Sequence, residues 1–249
     1  MRERIVSKSN ALVQASYRLS VNEQRIVLSC ISQIDSKSDP LLPRLHRIHA
    51  SEISSKNAYS NVKSAALRLR ERTVTLHLSE SERLVTSWAQ TVRYCDRSGE
   101  VYLRFSTDLM PFPTQIKSHF TSYQLQHVVG MSSAYGVRLY EMLSQYRSVG
   151  SRVEQIEDAR RMLGVDDGEY KRMPDFTRRV LNPAMKDVNT HSDMWVKSEY
   201  KKAGRRVTHL QLSFGERKKP SKTLSRQYIE RHADPGESYE QAARRLSAQ

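Results

Sequence analysis

Arg178 and Asn182 stand four positions apart in the chain. An arginine guanidinium presents a planar fork of donors that matches O6 and N7 of guanine, and an asparagine amide can bridge N6 and N7 of adenine. On a helix, four positions is one turn, so the two side chains could read neighbouring bases, each good pairing discriminating by about 1–3 kcal/mol. Close to them are Lys171, Arg172 and Lys186, and further on Lys201, Lys202, Arg205 and Arg206. These suit phosphate oxygens, where a cation supplies affinity and salt dependence without sequence information. The chemistry on offer is recognition of a polyanion.

Something must present these groups on one surface. Placed at about 100° per residue over 170–190, Phe176, Val180, Leu181, Ala184 and Val188 fall on one side of a helix. Lys171, Arg178, Asn182, Lys186 and Asn189 fall on the other. A strand is expected over 194–200, a turn over 201–206 and a return strand over 207–214. An amphipathic basic helix followed by a hairpin with a basic tip is the plan of a winged helix-turn-helix, in which the helix enters a DNA groove and the hairpin touches neighbouring phosphates. Pro183 lacks an amide hydrogen and crowds the carbonyl of Arg179, which predicts a kink; a boundary between two helices at Asn182 is the other possibility.

Composition narrows the partners. The formal net charge of the 249 residues is +14, a balance that draws a chain toward phosphate-rich molecules. It is concentrated: residues 170–219 hold 13 Lys and Arg against 5 Asp and Glu. Cys30 and Cys95 form no disulfide framework or metal-ligand pattern, which favours a reducing compartment and a cytoplasmic location. The first residues contain no apolar run of the signal type, and no stretch approaches the ~18 apolar residues that would span a bilayer.

The length suggests two domains, each able to bury a core. Helices are expected over 9–16 and 20–34, the second opened by a capping box of Ser20 and Glu23. Leu12, Leu19 and Ile26 recur every seven residues, a run too short for a zipper and read as core. A loop over 35–43 leads to a short strand over 45–50, helices over 51–57 and 59–72, and strands over 73–78, 84–94 and 100–106. The segment 108–120 starts as an interrupted stretch and continues as a short helix, and 123–130 bridges to the second half. There Ser132 or Ser133 caps a helix through Arg147, and a helix over 152–163 ends at Gly164 in the manner of a C-cap. The second half thus repeats the first as helices followed by a hairpin. Beyond Phe214, 216–220 is a charged linker, 223–233 a weak helix, and Asp234-Pro235-Gly236-Glu237 the cap of a helix through Leu246. Few apolar residues support that end, which is read as a mobile tail in preference to a partner-binding helix or a DNA arm.

Signals for catalysis are weak. His46 and His49 are separated by two residues, which on a strand points them to opposite faces, so they could not share one metal. His77, His119, His127, His191 and His209 are scattered, and the sequence holds no Gly-rich phosphate loop. The chain is expected not to be an enzyme and to need no cofactor or metal.

Tyr-Lys-Arg-Met-Pro-Asp-Phe-Thr-Arg-Arg-Val-Leu-Asn-Pro-Ala-Met-Lys-Asp-Val-Asn from Tyr170, with the run Ser133 to Glu141, resembles the replication initiator proteins of iteron-containing bacterial plasmids. The segments Ser9 to Ala15 and Leu19 to Arg25 are similar to the start of that family, so the likeness spans about residues 7–214. It implies an α+β chain with two tandem winged-helix domains related by pseudo-symmetry, plus the C-terminal tail. Residues 1–120 would form an N-terminal domain for phosphate contacts and dimerisation, 121–215 a C-terminal domain for base reading, and 216–249 the charged, partly helical or mobile tail. By position, Arg178 and Arg179 fall where the family's recognition helix faces the major groove; Thr177 departs from relatives that carry a third arginine there. The function implied is initiation of plasmid replication, with a monomer on direct repeats of double-stranded DNA and a dimer on an inverted repeat repressing its own promoter. Host replication proteins such as helicase and initiator are the further partners implied. A stand-alone winged-helix repressor is the alternative reading, and a nicking initiator enzyme a more distant one.

Overall fold

A computed structural model describes residues 4–34, 44–53, 57–114, 119–217 and 226–247. The loop expected over 35–43 lies outside them, as do parts of 51–57, of 108–120 and of the stretch after Arg217. The chain opens with a strand that the sequence pattern does not announce, β1 (Ile5–Ser9), followed by α1 (Asn10–Gln14), whose cap is the Ser9 hydroxyl accepting from the Leu12 amide. In α2 (Val21–Ile31) the Ser20 hydroxyl accepts from the Glu23 amide while Glu23 takes the Ser20 amide at 2.7 Å, the capping box that the spacing predicts. Leu12, Leu19 and Ile26 all lie in the core.

Then come β2 (His46–Ile48), α3 (Ala50–Ile53), α4 (Ala58–Arg68), β3 (Thr73–His77), β4 (Arg83–Ser87), β5 (Ala89–Cys95) and β6 (Glu100–Phe105). The single strand expected over 84–94 is two, broken at Trp88. Its indole is fully buried against the Tyr17 ring, with ring centres 4.8 Å apart. The Trp88 and Ala89 amides leave the sheet to bond the Arg72 and Leu69 carbonyls at 3.1 and 3.2 Å. The chain therefore changes sheets there: β4 pairs with β3, and β5 joins the sheet ordered β2-β6-β5. A 3-10 turn (Thr107–Leu109) and α5 (Pro111–Thr114) lead to β7 (Phe120–Gln124), which runs antiparallel to β1 from Ile5↔Gln124 to Ser9↔Phe120. The expected bridge 123–130 is thus the end of β7 plus the short α6 (Gln126–Val129).

Next comes α7 (Ala134–Gln145), largely buried along its length. Ser133 is its N-cap position, yet the serine side chain does not cap. Asp187, from a helix 54 residues away, accepts the Ser133 amide and, at 2.8 Å, the Ser132 amide. The helix expected over 152–163 begins as a strand, β8 (Ser151–Gln155), before α8 (Ile156–Leu163). Arg152 on that strand is buried, its guanidinium reaching the Met142 carbonyl at 3.0 Å and Glu154 at 2.6 Å. Gly164 ends α8 at φ +79°, the C-cap expected of it.

From α9 (Met173–Phe176) through a π turn (Thr177–Leu181) to α10 (Asn182–His191) the chain is continuously helical. The hairpin of β9 (Met194–Ala203) and β10 (Arg206–Glu216) follows, with β8 completing a sheet ordered β8-β10-β9. Leu210, Leu212 and Phe214 on that sheet face the helices across a shared core. Each half is thus helices backed by a small antiparallel sheet with a hairpin, and the fold is α+β with two winged-helix domains.

A buried ionic cluster ties the N-terminal segment to α7. Glu141 on α7 accepts from Lys8 of β1 at 2.5 Å, from Arg138 at 2.8 Å and from the hydroxyls of Tyr17 and Tyr123. Burial alone would raise its pKa, but Lys8 and Arg138 beside it hold it down to about 2. Arg138 also donates to the carbonyls of Val13, Ala15 and Met162, each at 2.9 Å.

The tail forms a separate compact unit, with α11 (Arg226–Arg231) and α12 (Tyr239–Ser247). The cap expected at Asp234 is displaced. Gly236 takes φ +88° and interrupts the helix there, and Ser238 with Gln241 makes the reciprocal cap instead, at 3.0 and 3.3 Å. Among the described residues no helix is long and apolar enough to cross a membrane.

Candidate nucleic-acid interface

The five residues expected on the inner face of the 170–190 helix, Phe176, Val180, Leu181, Ala184 and Val188, are all fully buried. Those expected outside, Lys171, Arg178, Asn182, Lys186 and Asn189, are all exposed. With no boundary at Asn182, the helix runs on through Pro183. The turn before it widens, so that the Asn182 amide bonds the Thr177 carbonyl five residues back. A proline cannot supply the usual amide to the Arg179 carbonyl, and one wide turn absorbs the misfit without breaking the helix.

Arg178 is 70% exposed and its guanidinium lies 3.4 Å from Asp175. An exposed pair of this kind contributes little and is readily exchanged for another anion. Arg179 is exposed beside Arg178. It lines a shallow depression with Lys171, Arg172, Asp175 and the Gly168–Tyr170 turn, so three cations meet at the start of the helix. Lys186 is exposed one turn beyond Asn182.

The wing turns over Gly204 and Arg205, with Gly204 at φ +60° and nothing within 4 Å of where a Cβ would stand. Backbone conformation, not space, demands glycine there, as in primed hairpin turns. Lys201, Lys202, Arg205 and Arg206 are all exposed around this tip. Arg206 lies 3.4 Å from Glu157, with both side chains more than two-thirds exposed. The site is therefore a helix face and a hairpin tip of like charge, with few carboxylates to neutralise it.

Three polar residues that pattern reading leaves without a role prove structural. Asn189, on the polar face, uses its amide on the backbone of Val196 in β9. Asp187 caps α7, as above. Thr177 meets the Tyr200 hydroxyl on β9 at 2.7 Å. Nothing local in the sequence distinguishes these from solvated surface residues, because each takes its role from a partner on another element. As for metals, His46 is buried and His49 exposed, and no group of three metal-ligating side chains occurs among the described residues.

A hairpin wing, an amphipathic helix with its cations outward and a second copy of the plan upstream define a winged-helix protein of the nucleic-acid-binding type. Two family models extend the assignment: "Initiator Replication protein, WH1" matches residues 5–144 and "Initiator Rep protein, WH2" matches residues 155–214. The chain belongs to this family of initiator replication proteins. It is 26% identical over 207 residues to a replication initiation protein of Escherichia coli, covering 78% of this chain and 65% of that protein. The chain thus spans just under two-thirds of that relative's length. An uncharacterized 27.6 kDa protein of Escherichia coli is 21% identical over 217 residues, covering 80% of this chain and 91% of its own. The fold is similar to that in the crystal structure of Pi initiator protein in complex with iteron DNA, with a TM-score of 0.71, 20% identity and coverage of 88% of this chain and all of the other.

Proposed function

We infer that the protein is a sequence-specific, double-stranded DNA-binding initiator of plasmid replication. It binds direct repeats at an origin as a monomer, represses its own promoter as a dimer and recruits host helicase and initiator proteins. In this reading Arg178, Arg179 and Asn182 read bases, and Lys171, Arg172, Lys186, Lys201, Lys202, Arg205 and Arg206 hold phosphates. The N-terminal winged helix adds phosphate contacts and dimerisation. The chain itself does no chemistry on the DNA, requires no cofactor and works in the cytoplasm. The observation that carries the reading is the cation-rich outer face of the 173–191 helix beside a basic wing tip, in a member of the initiator family. The Pi initiator, whose fold this chain shares, was crystallised in complex with iteron DNA, which supports the choice of ligand.

Footprinting on the parent replicon tests it. Protection of tandem repeats spaced by about two helical turns is expected, since two winged helices can then meet one face of the duplex. Protection confined to a promoter palindrome would instead make the chain a repressor. Supercoiled DNA incubated with the protein and Mg²⁺ should stay intact, and a specific nick would contradict the non-catalytic reading.

A further inference from the structure

The wing is attached to the helix at two points on β9. At the root, Asn189 of α10 donates through Nδ2 to the Val196 carbonyl (3.1 Å) and accepts the Val196 amide at Oδ1 (2.8 Å). Four residues on, Thr177 Oγ1 lies 2.7 Å from the Tyr200 hydroxyl and 2.8 Å from the Met173 carbonyl. A carbonyl can only accept, so the single Thr177 proton goes to Met173 and the Tyr200 hydroxyl donates to Thr177. Thr177 immediately precedes Arg178, and Lys201 and Lys202 immediately follow Tyr200. The hydroxyl pair therefore joins the segment read as facing bases to the segment read as holding phosphates.

That junction sits where the sheet gives out. β8 pairs with β10 only from Ser213 to His209, so from Thr208 outward the wing is a two-stranded ribbon. Such a ribbon is weakly held by itself. At about 3.3 Å per residue, Gly204 is roughly 26 Å along the strand from Val196, and a swing of about 10° about the Asn189 contact would move the tip by about 4–5 Å. A displacement of that size takes a guanidinium at the tip out of reach of its phosphate.

We propose that Thr177 and Tyr200 are positioning residues: their hydrogen bond fixes the angle between wing and helix, so that the wing cations meet phosphates in register with the bases below the helix. This rests on the DNA-binding reading above. The test uses the full chain and a duplex carrying the direct repeats of the parent replicon's origin. Tyr200→Phe and Thr177→Val each delete one partner at nearly constant volume, and Thr177→Ser keeps the hydroxyl. In Tyr200→Phe and Thr177→Val, hydroxyl-radical protection on the flank under the wing should be lost while the central protection stays. At about 0.9 per released phosphate the salt slope should fall by about 2, and affinity at ~0.1 M salt by about tenfold. The double variant should lose no more than either single one, and Thr177→Ser should behave as wild type. Unchanged flank protection and slope in Tyr200→Phe and Thr177→Val would overturn the proposal, as would a proportional loss of centre and flank, which marks a damaged fold. If the wild type protects no repeats, the DNA reading itself fails and this proposal with it; failure of the variants alone to differ removes only the latch.

Discussion

A base contact and a phosphate contact fail in different ways when truncated, and that difference is how single residues of this surface can be assigned. Arg178 is exposed and, among the described residues, makes a loose contact with Asp175. Its replacement by alanine should raise the dissociation constant for the specific repeat by the equivalent of about 1–3 kcal/mol, leaving affinity for random DNA nearly unchanged. Lys202→Ala should weaken both duplexes by the same factor and reduce the salt slope by about 1. Both are read by titration at several salt concentrations, and an equal loss of Arg178→Ala on random DNA would move that residue to the phosphate class. Exposure of Arg178, Asn182 and Lys186 is legible in the sequence because the helical period alone fixes which face a residue occupies. The employment of Asn189 and Asp187 is not. Each is bound to an element that the local pattern says nothing about: Asn189 to β9, Asp187 to the start of α7.

Elements divide the same way between what local chemistry dictates and what tertiary contact overrides. The capping box of α2, the alternation of β6 and the end of α8 at Gly164 follow from residue types at short spacing and stand in the structure where the sequence puts them. The strand pairing of β1 with β7 spans more than a hundred residues, and the break at Trp88 depends on an indole finding Tyr17; neither has a local signal. β8 reads as helix in the sequence because five residues before an amphipathic run carry too little periodicity to contradict it. Two glycines separate the possible costs. Gly164 combines φ +79° with a Cβ position 2.5 Å from the Tyr17 carbonyl, whereas Gly204 at φ +60° faces open space. Gly164→Ala should therefore destabilise the fold by about 2 kcal/mol or more, as strain and clash add, while Gly204→Ala should cost about 1 kcal/mol. Urea denaturation ranks the two, and an equal loss would mean that the Tyr17 segment yields to the new methyl.

At the scale of the whole body up to Gly215, the cluster around Glu141 binds the N-terminal segment to α7 and, by one hydrogen bond, reaches the second winged helix. It ties β1, β7 and the segment after α1 to α7, and through Arg138 reaches the Met162 carbonyl at the end of α8. A buried ion pair need not add net stability over an apolar substitute, but breaking one partner leaves charge without compensation, at about 3–5 kcal/mol. Glu141→Gln strands both Lys8 and Arg138, so a loss of that order is expected, and Lys8→Met in the same chain should recover part of it by removing one of the two orphaned cations. The pH dependence has a definite sign. Glu141 is depressed from 4.5 to about 2 in the folded protein, so its contribution is complete above about pH 4.5 and is lost as pH falls toward 2. Wild type should accordingly lose stability over that window, and Glu141→Gln should lose less, when urea midpoints are measured from pH 6 to 2. Because Arg138 carries the cluster across to the end of α8 in the second winged helix, the two winged helices should also unfold together. In Trp195→Phe, the remaining indole, Trp88, reports the first half, and its fluorescence should change at the same urea concentration as the main far-UV circular dichroism transition. Two separated transitions would show that the winged helices are independent bodies and that Glu141 holds only its own neighbourhood.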